Sequence, residues 1–518
     1  MKSHISDRNT VFSLVNIFIA LAIWSLLILR YGYSFGSGDH VELLPYSLFL
    51  NDPSLYPHDF FIQSLHASLP NERTVFANLL RPFSSFFPLA IFCLHLLNTV
   101  FLLLGLYKIG QRFFTQKWQT WIPVFCSILI FNDKALGNVD LYTSSIQAGD
   151  VACAIIAWAI GFFLDRRYVL MTFLMVVATF IHVLEGLDVM IVLSIMLFVF
   201  ALQKKIEWKT FFSCMAIYAS TAFIYLVLLF LAKTDVKSTL SDKTLFDILF
   251  IFRHPHHFIF STFPLFNKLF FFPIALFGMG WFYTKSEPLF LFFLISLTIL
   301  LLYIIATDYG HIILIANFQW YKLTQWLKAL VFMAVFAALI GRFKLDFRLP
   351  NSLFYAAAFA TVLVCFILIF IDKSPFSTHY QIGVKAYQYT DIDIAIKAKN
   401  STNKDAVFVI PFSNSSFKYW SERSSFIEFK ANVRNKAFVG EWYRRVGLVY
   451  GLDTTDAHIG FEKHWTADSA FLAKAASEEV VQWKAEKITH ILSEHSLANP
   501  LLSLVDKNQD YWIYKINE

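Results

Sequence analysis

Apolar runs long enough to cross a bilayer recur from residue 11 to residue 371, separated by short polar connections. The first is "VFSLVNIFIALAIWSLLIL" at 11–29, and others lie at about 86–107, 118–132, 147–164, 168–183, 188–203, 210–232, 269–283, 288–306, 323–341 and 351–371. The pattern predicts about eleven spans. Runs such as "LFLFFLISLTILLLYII" are apolar on every face, which suits lipid contact better than the one-sided burial of a soluble helix. Beyond residue 371 the pattern changes. Helical periodicity is expected near 391–400, 438–449 and 467–486, and strands at 406–411, 424–430, "THILSE" and "DYWIYKI". The expected fold is therefore mainly α, a polytopic membrane domain over 1–371 followed by a small α/β domain over 372–518.

Composition agrees with a membrane chain: 57% of the 518 residues are hydrophobic, only 15% are charged, and mean hydropathy is +0.55. Of the 43 Lys and Arg and the 37 Asp and Glu, 18 of each follow residue 371, so the positive excess lies in the apolar part. Charge placed there follows the positive-inside rule and argues against a nucleic-acid partner. The basic connections "YKIGQRFFTQK", "DRRY", "QKKIEWK" and "GRFKLDFR" alternate with longer or less basic ones. They predict a cytoplasmic N-terminus and an extracytoplasmic tail. On that topology 30–85, 133–146, 233–267, 307–322 and the tail face outward. The first run reads as an uncleaved anchor, because Arg30, Tyr31 and Tyr33 follow it and no small-residue cleavage site does. The five cysteines lie in or beside apolar runs and form no CxxC pair, so neither a zinc site nor a disulfide framework is indicated.

Candidate chemistry gathers at the outward helix ends. "SFGSGDHVELLPYS" (34–47) places Asp39, His40 and Glu42 where the first span ends, with "FGSG" turning the backbone out. The stretch after it is aromatic, apolar and rich in proline, as for a segment lying along a membrane surface, and it carries His58, Asp59, Arg73 and Arg81. "FIHVLEGLDV" (180–189) joins two spans and holds His182, Glu185 and Asp188; a helical hairpin with polar ends explains it equally well. "FRHPHHFIF" (252–260) adds Arg253, His254, His256 and His257. Pro255 keeps one helix from presenting all three histidines, so a basic patch facing lipid phosphate fits better than zinc. Lys322 closes the next outward connection. Carboxylates with Arg and His beside a membrane suit activation of an acceptor hydroxyl next to a phosphate leaving group, or alternatively a proton or ion relay. No GxSxG, HExxH or Walker A pattern occurs.

A cytoplasmic start, one span, a large amphipathic outer loop opening on an acidic motif, many further spans and an outer α/β tail together resemble the GT-C superfamily of integral membrane glycosyltransferases. "GDHVE" resembles that superfamily's acidic position on the first outer loop. The resemblance implies a polyprenyl-phosphate-linked sugar donor and an acceptor of unspecified kind. It implies Asp39 as catalytic base, or as ligand to a divalent metal ion in metal-dependent relatives, with His40 and Glu42 in support. Charge and side add Arg73, Arg81, Arg253, His254 and Lys322 as donor-phosphate ligands, and His58, Asp59, His182, Glu185 and Asp188 as an accompanying polar cluster. The tail phrase "TNKDAVFVIP" with Phe417-Lys418 and Ser421-Glu422-Arg423 is similar to tails of uncharacterised bacterial polytopic proteins, with Asn403 where those carry Pro. The competing expectation is a non-enzymatic membrane protein, either a transporter of a lipid-linked or anionic solute or an assembly component for envelope polysaccharide. Convergence of Asp39, the 182–188 turn and the 233–267 basic residues on one cavity open to lipid favours the transferase; a polar path through the membrane favours transport.

Overall fold

The computed structural model describes residues 11–132, 134–234, 240–345, 347–370, 389–414, 416–453 and 464–517, and the chain is mainly helical. Among the described residues, eight helices are long and apolar enough to cross a membrane: Leu14–Tyr31, Thr74–Gly110, Val183–Leu202, Trp208–Ala232, Leu265–Lys285, Glu287–Tyr309, Ile313–Phe343 and Asn351–Ile369. Two further apolar helices, Ala148–Leu164 and Tyr168–Ile181, are shorter. This array suits a multi-pass membrane protein.

The expected span at 118–132 divides into a nine-residue helix, Lys117–Phe125, and a five-residue π segment, Cys126–Ile130. At about 1.5 Å per residue that stretch falls short of the roughly 30 Å hydrocarbon core. Pro123 inside it removes a backbone donor. The count of eleven thus resolves into eight long helices, two shorter ones and one broken run.

The segment expected to lie along a membrane surface is instead largely buried protein. Helix His40–Asn51 buries nearly all of its first eight residues, and Phe60–Ala67 and Thr74–Leu80 follow it. Its aromatic and proline-rich character serves packing against the tail: Phe60 stacks on Phe438 with ring centroids 4.5 Å apart.

The tail forms a five-stranded sheet in the order β2-β1-β3-β5-β4, from β1 (Val407–Val409), β2 (Ser424–Ser425), β3 (His490–Ser493), β4 (Leu502–Lys507) and β5 (Trp512–Ile516). β1 is parallel to β2 and β3, and β5 is antiparallel to β3 and β4. Flanked on both edges and buried throughout, β1 reads as an unbroken apolar run. Sequence periodicity overstates β2, which ends after two residues, and joins what are two helices, His464–Ala475 and Val480–Ala485. It also misses β4, an edge strand whose exposed residues lack a clean alternation. The expected boundary between 371 and 372 lies outside the described residues.

A buried charge network fastens the first connecting segment to the tail. Lys418 Nζ lies 2.9 Å from Asp59 and 2.7 Å from Glu428, and all three side chains are almost wholly buried. Asp59 also accepts from the backbone N–H of Ile62 at 2.9 Å, capping its own helix, and from that of Ser425 at 3.0 Å. Burial holds the Glu428 carboxyl up at about 7 despite the lysine beside it. The single cation between two carboxylates predicts that Lys418→Met leaves uncompensated buried charge. A loss of about 3–5 kcal/mol is expected by thermal unfolding of the purified protein, largely recovered when Asp59→Asn and Glu428→Gln are added.

A second contact sets the position of Glu185. A Cβ on Gly186 would come within 2.4 Å of the Thr179 backbone nitrogen on the neighbouring helix. Gly186→Ala must therefore push the 183–202 helix off Tyr168–Ile181, at a cost of about 1–3 kcal/mol. A melting temperature unchanged from wild type would show that the two helices do not pack this closely.

Candidate functional site

Seven stretches far apart in sequence bring charged side chains to one cavity of about 700 Å³. Asp39 and Glu42 come from the start of helix His40–Asn51, and Glu72 and Arg73 from the turn before Thr74–Leu80. His182 and Glu185 come from the first turn of Val183–Leu202, Arg253, His254 and His257 from the connection ahead of Leu265–Lys285, and Lys322 from the start of the 323–343 helix. Asp140 and Asp150 come from the stretch 138–153, and Lys430, Arg434 and Lys436 from the tail segment 430–436.

The turn in "FGSG" is made by two glycines in the left-handed region, Gly36 at φ 82° and Gly38 at φ 62°. A Cβ on Gly38 would also strike the Ser145 and Gln147 side chains at 2.6 and 2.8 Å. The turn leaves Asp39 at the helix N-cap, where its carboxylate makes no capping bond. Its side chain is 39% exposed within the cavity, with Lys430 Nζ at 3.4 Å, whereas that of Glu42 is only 8% exposed. Burial pushes the Asp39 carboxyl up, but the combined charge of Lys430, Arg73, His182 and Lys322 outweighs it and holds the group below its usual range. Asp39 is thus an ionised, reachable carboxylate.

Other expected residues are spoken for. Glu42 accepts from Arg73 Nε at 2.6 Å and from the backbone N–H of Asn432 at 3.2 Å. Arg73 also pairs with Glu72 at 3.0 Å. Lys322 lies 2.6 Å from Glu185, which accepts in addition from Gln325 Nε2 at 2.9 Å. His40 lies outside the cavity: its Nδ1 accepts from Gly36 N–H at 3.2 Å and its Nε2 sits 2.7 Å from the Ile146 carbonyl. Burial drives its pKa down to about 4, so it is a neutral pin for the turn.

Arg81 does not reach the cavity; its Nε donates to Asn51 Oδ1 at 2.7 Å on the exposed surface. Asp59 belongs to the buried Lys418 network, and the backbone N–H of its neighbour His58 donates to Ser424 Oγ at 3.2 Å. Asp188 is buried outside the cavity wall. Among the described residues no group of three or more His, Cys, Asp or Glu is arranged to hold a metal ion. Asp39 faces a lysine instead, which is the wrong neighbour for a cation site.

Arg253 Nε donates to the Phe429 carbonyl at 3.2 Å, and its terminal nitrogens reach the Lys430 carbonyl and His254. The guanidinium so pins the tail segment over the cavity. That segment, "KANVRNK", escapes a reading of the sequence. Its signal is three cations alternating with two asparagines between an apolar stretch and a helix, and only folding brings it to the carboxylates. Leu226, Leu229, Phe230, Ile313, Leu314 and Phe318 add an apolar wall. Phe230 and Leu314 are 62% and 67% exposed.

Residues 390–449 match the family model described as Domain of unknown function (DUF6798), a stretch that includes β1, β2 and the 430–436 segment. No curated protein matches the chain.

Proposed function

We propose that the chain is a membrane glycosyltransferase with a GT-C-like fold, which moves a sugar from a polyprenyl-phosphate-linked donor to an acceptor at the outer face of a bacterial inner membrane. The observation that supports this reading is a partly exposed carboxylate, Asp39, among cations in a cavity whose apolar wall includes the exposed Phe230 and Leu314. An acceptor hydroxyl attacks the anomeric carbon and passes its proton to Asp39. The new C–O bond forms as the sugar–phosphate C–O bond breaks, and the phosphate leaves with the electron pair. Positive charge from Arg253 and its neighbours offsets the charge that develops on the leaving group. The apolar wall then holds the polyprenyl chain while the amides of Gln147, Gln319 and Gln325 face the sugar. No step in this scheme requires a metal ion.

A transport or assembly role draws on a different observation. His95, Asn98 and Thr99 line a small void that shares Thr143 and Asp150 with the main cavity and lies among apolar helices. Buried polar groups of that kind also mark ion paths.

The transferase reading makes two predictions for purified protein given a polyprenyl-phosphate sugar. Asp39→Asn should lower turnover by about 10²–10⁴-fold with little change in donor binding; equal turnover removes Asp39 from the chemistry. Because the folded protein depresses this carboxyl, activity should persist at neutral pH and fall only as the pH drops below the ordinary aspartate value of about 3.9. An acid limb near pH 6 in the kcat profile would assign the base to another group.

A further inference from the structure

The cations around the cavity differ in whether they have an anionic partner. Arg73 is met by Glu42 and Glu72, Lys322 by Glu185, Lys430 by Asp39, and Lys436 by Asp242 at 2.5 Å. Two guanidiniums remain. Arg253 spends its donors on the Phe429 and Lys430 carbonyls and His254, so its charge has no carboxylate against it. Arg434 lies over the Phe258 ring at 5.7 Å, and among the described residues no carboxylate comes within ion-pairing distance of it. The nearest carboxylates acting on it, Glu72 and Glu42, are already engaged by Arg73.

A partly buried guanidinium without an ion-paired carboxylate is costly, and two that share one cavity are costlier still. Such a pair matches a ligand with two negative charges and several acceptor oxygens. The planar fork of arginine fits phosphate oxygens in pairs, which a lysine cannot do. Arg434 is the member with donors to spare, and it sits midway along a segment fastened at both ends. Arg253 holds the carbonyls of 429 and 430, Glu42 holds the N–H of 432, and Asn435 caps helix Lys436–Tyr450 through the Phe438 N–H at 2.7 Å. A guanidinium on a fixed segment can meet an anion without first ordering the chain.

We propose that segment 430–436 is the anion-recognition element of the cavity and that Arg434, backed by the charge of Arg253, receives the oxygens of a phosphate ester, dianionic as a monoester such as the lipid phosphate that sugar transfer releases. The assignment rests on the transferase reading for the role of that phosphate, but not for its binding. It makes the DUF6798-matched region part of the site: without it the cavity keeps its carboxylates and loses the cation that is free to meet a ligand.

The test uses the full-length protein in phosphatidylcholine nanodiscs, with equilibrium binding of inorganic pyrophosphate and, separately, of a polyprenyl phosphate followed by native mass spectrometry. Wild type is compared with Arg434→Gln, Arg434→Lys and Lys484→Gln, the last removing one charge from an exposed tail position. Arg434→Gln should bind about tenfold to a hundredfold more weakly, Arg434→Lys should recover part of the loss, and Lys484→Gln should match wild type. Competition between the two probes would show that the phosphate alone suffices; binding of the polyprenyl phosphate only would place recognition on a lipid headgroup. Affinity of both Arg434 variants within twofold of wild type for both probes overturns the proposal. Should Arg434→Gln melt at a lower temperature than wild type, Arg434→Lys, which keeps the charge and loses the fork, carries the comparison. Arg434-dependent phosphate binding without sugar transfer would sink the transferase reading and leave this assignment standing. Transfer that survives Arg434→Gln with unchanged donor affinity would do the reverse.

Discussion

Burial of Lys418 between Asp59 and Glu428 ties the segment after the first apolar helix to the tail, whose next residues form one wall of the cavity. A buried cation must be compensated, and here the compensation comes from both sides of the join. The tie brings Ser424 and Ser425 against His58 and Asp59, which sets the path of the chain onward to Lys430 and Arg434. Glu42 and Arg253 then take up the backbone of residues 429–432. Every cation that the tail brings to the cavity depends on this chain of contacts.

The cavity carbonyls and carboxylates are used with economy. Glu42 and Glu185 neutralise basic neighbours and position backbone or amide groups, so neither is available as a base. Asp39 alone combines exposure with a single long ion pair. Asp39 and Glu42 stand three residues apart on one turn, yet environment separates their roles: one faces open space and the other is enclosed by an arginine and a peptide N–H. The closure of the glycine turn behind them, with His40 bonded at both ring nitrogens, keeps this difference from averaging out.

The helix array and the tail meet different solvents, which explains where sequence patterns mislead. In the array, long apolar runs mark helices well; the run with Pro123 and the π segment is broken, and Ala148–Leu164 and Tyr168–Ile181 are shorter than the eight long helices. In the segment 40–67, apolar and aromatic residues look identical whether they face lipid or another part of the protein. There they face protein, as the Phe60–Phe438 stack illustrates. In the tail, β4 escapes because an edge strand with solvent on one side obeys no strict alternation.

The amino-acid sequence by itself determined the apolar helices, the α/β character of the tail and the placement of Asp39, His182, Glu185, Arg253 and Lys322 at helix ends, since hydrophobic length and turn residues are local properties. Tertiary structure alone decided which of these charges are compensated. Arg81 and Asp59 look as reactive in sequence as Arg73 and Asp39, but one bonds to a surface asparagine and the other is sealed under a lysine 359 positions away. Arg434 is marked locally only by the cations and asparagines that alternate around it. Charge compensation acts through space, at a few ångströms, between residues that the chain separates by hundreds of positions, and that is why only the fold could single it out.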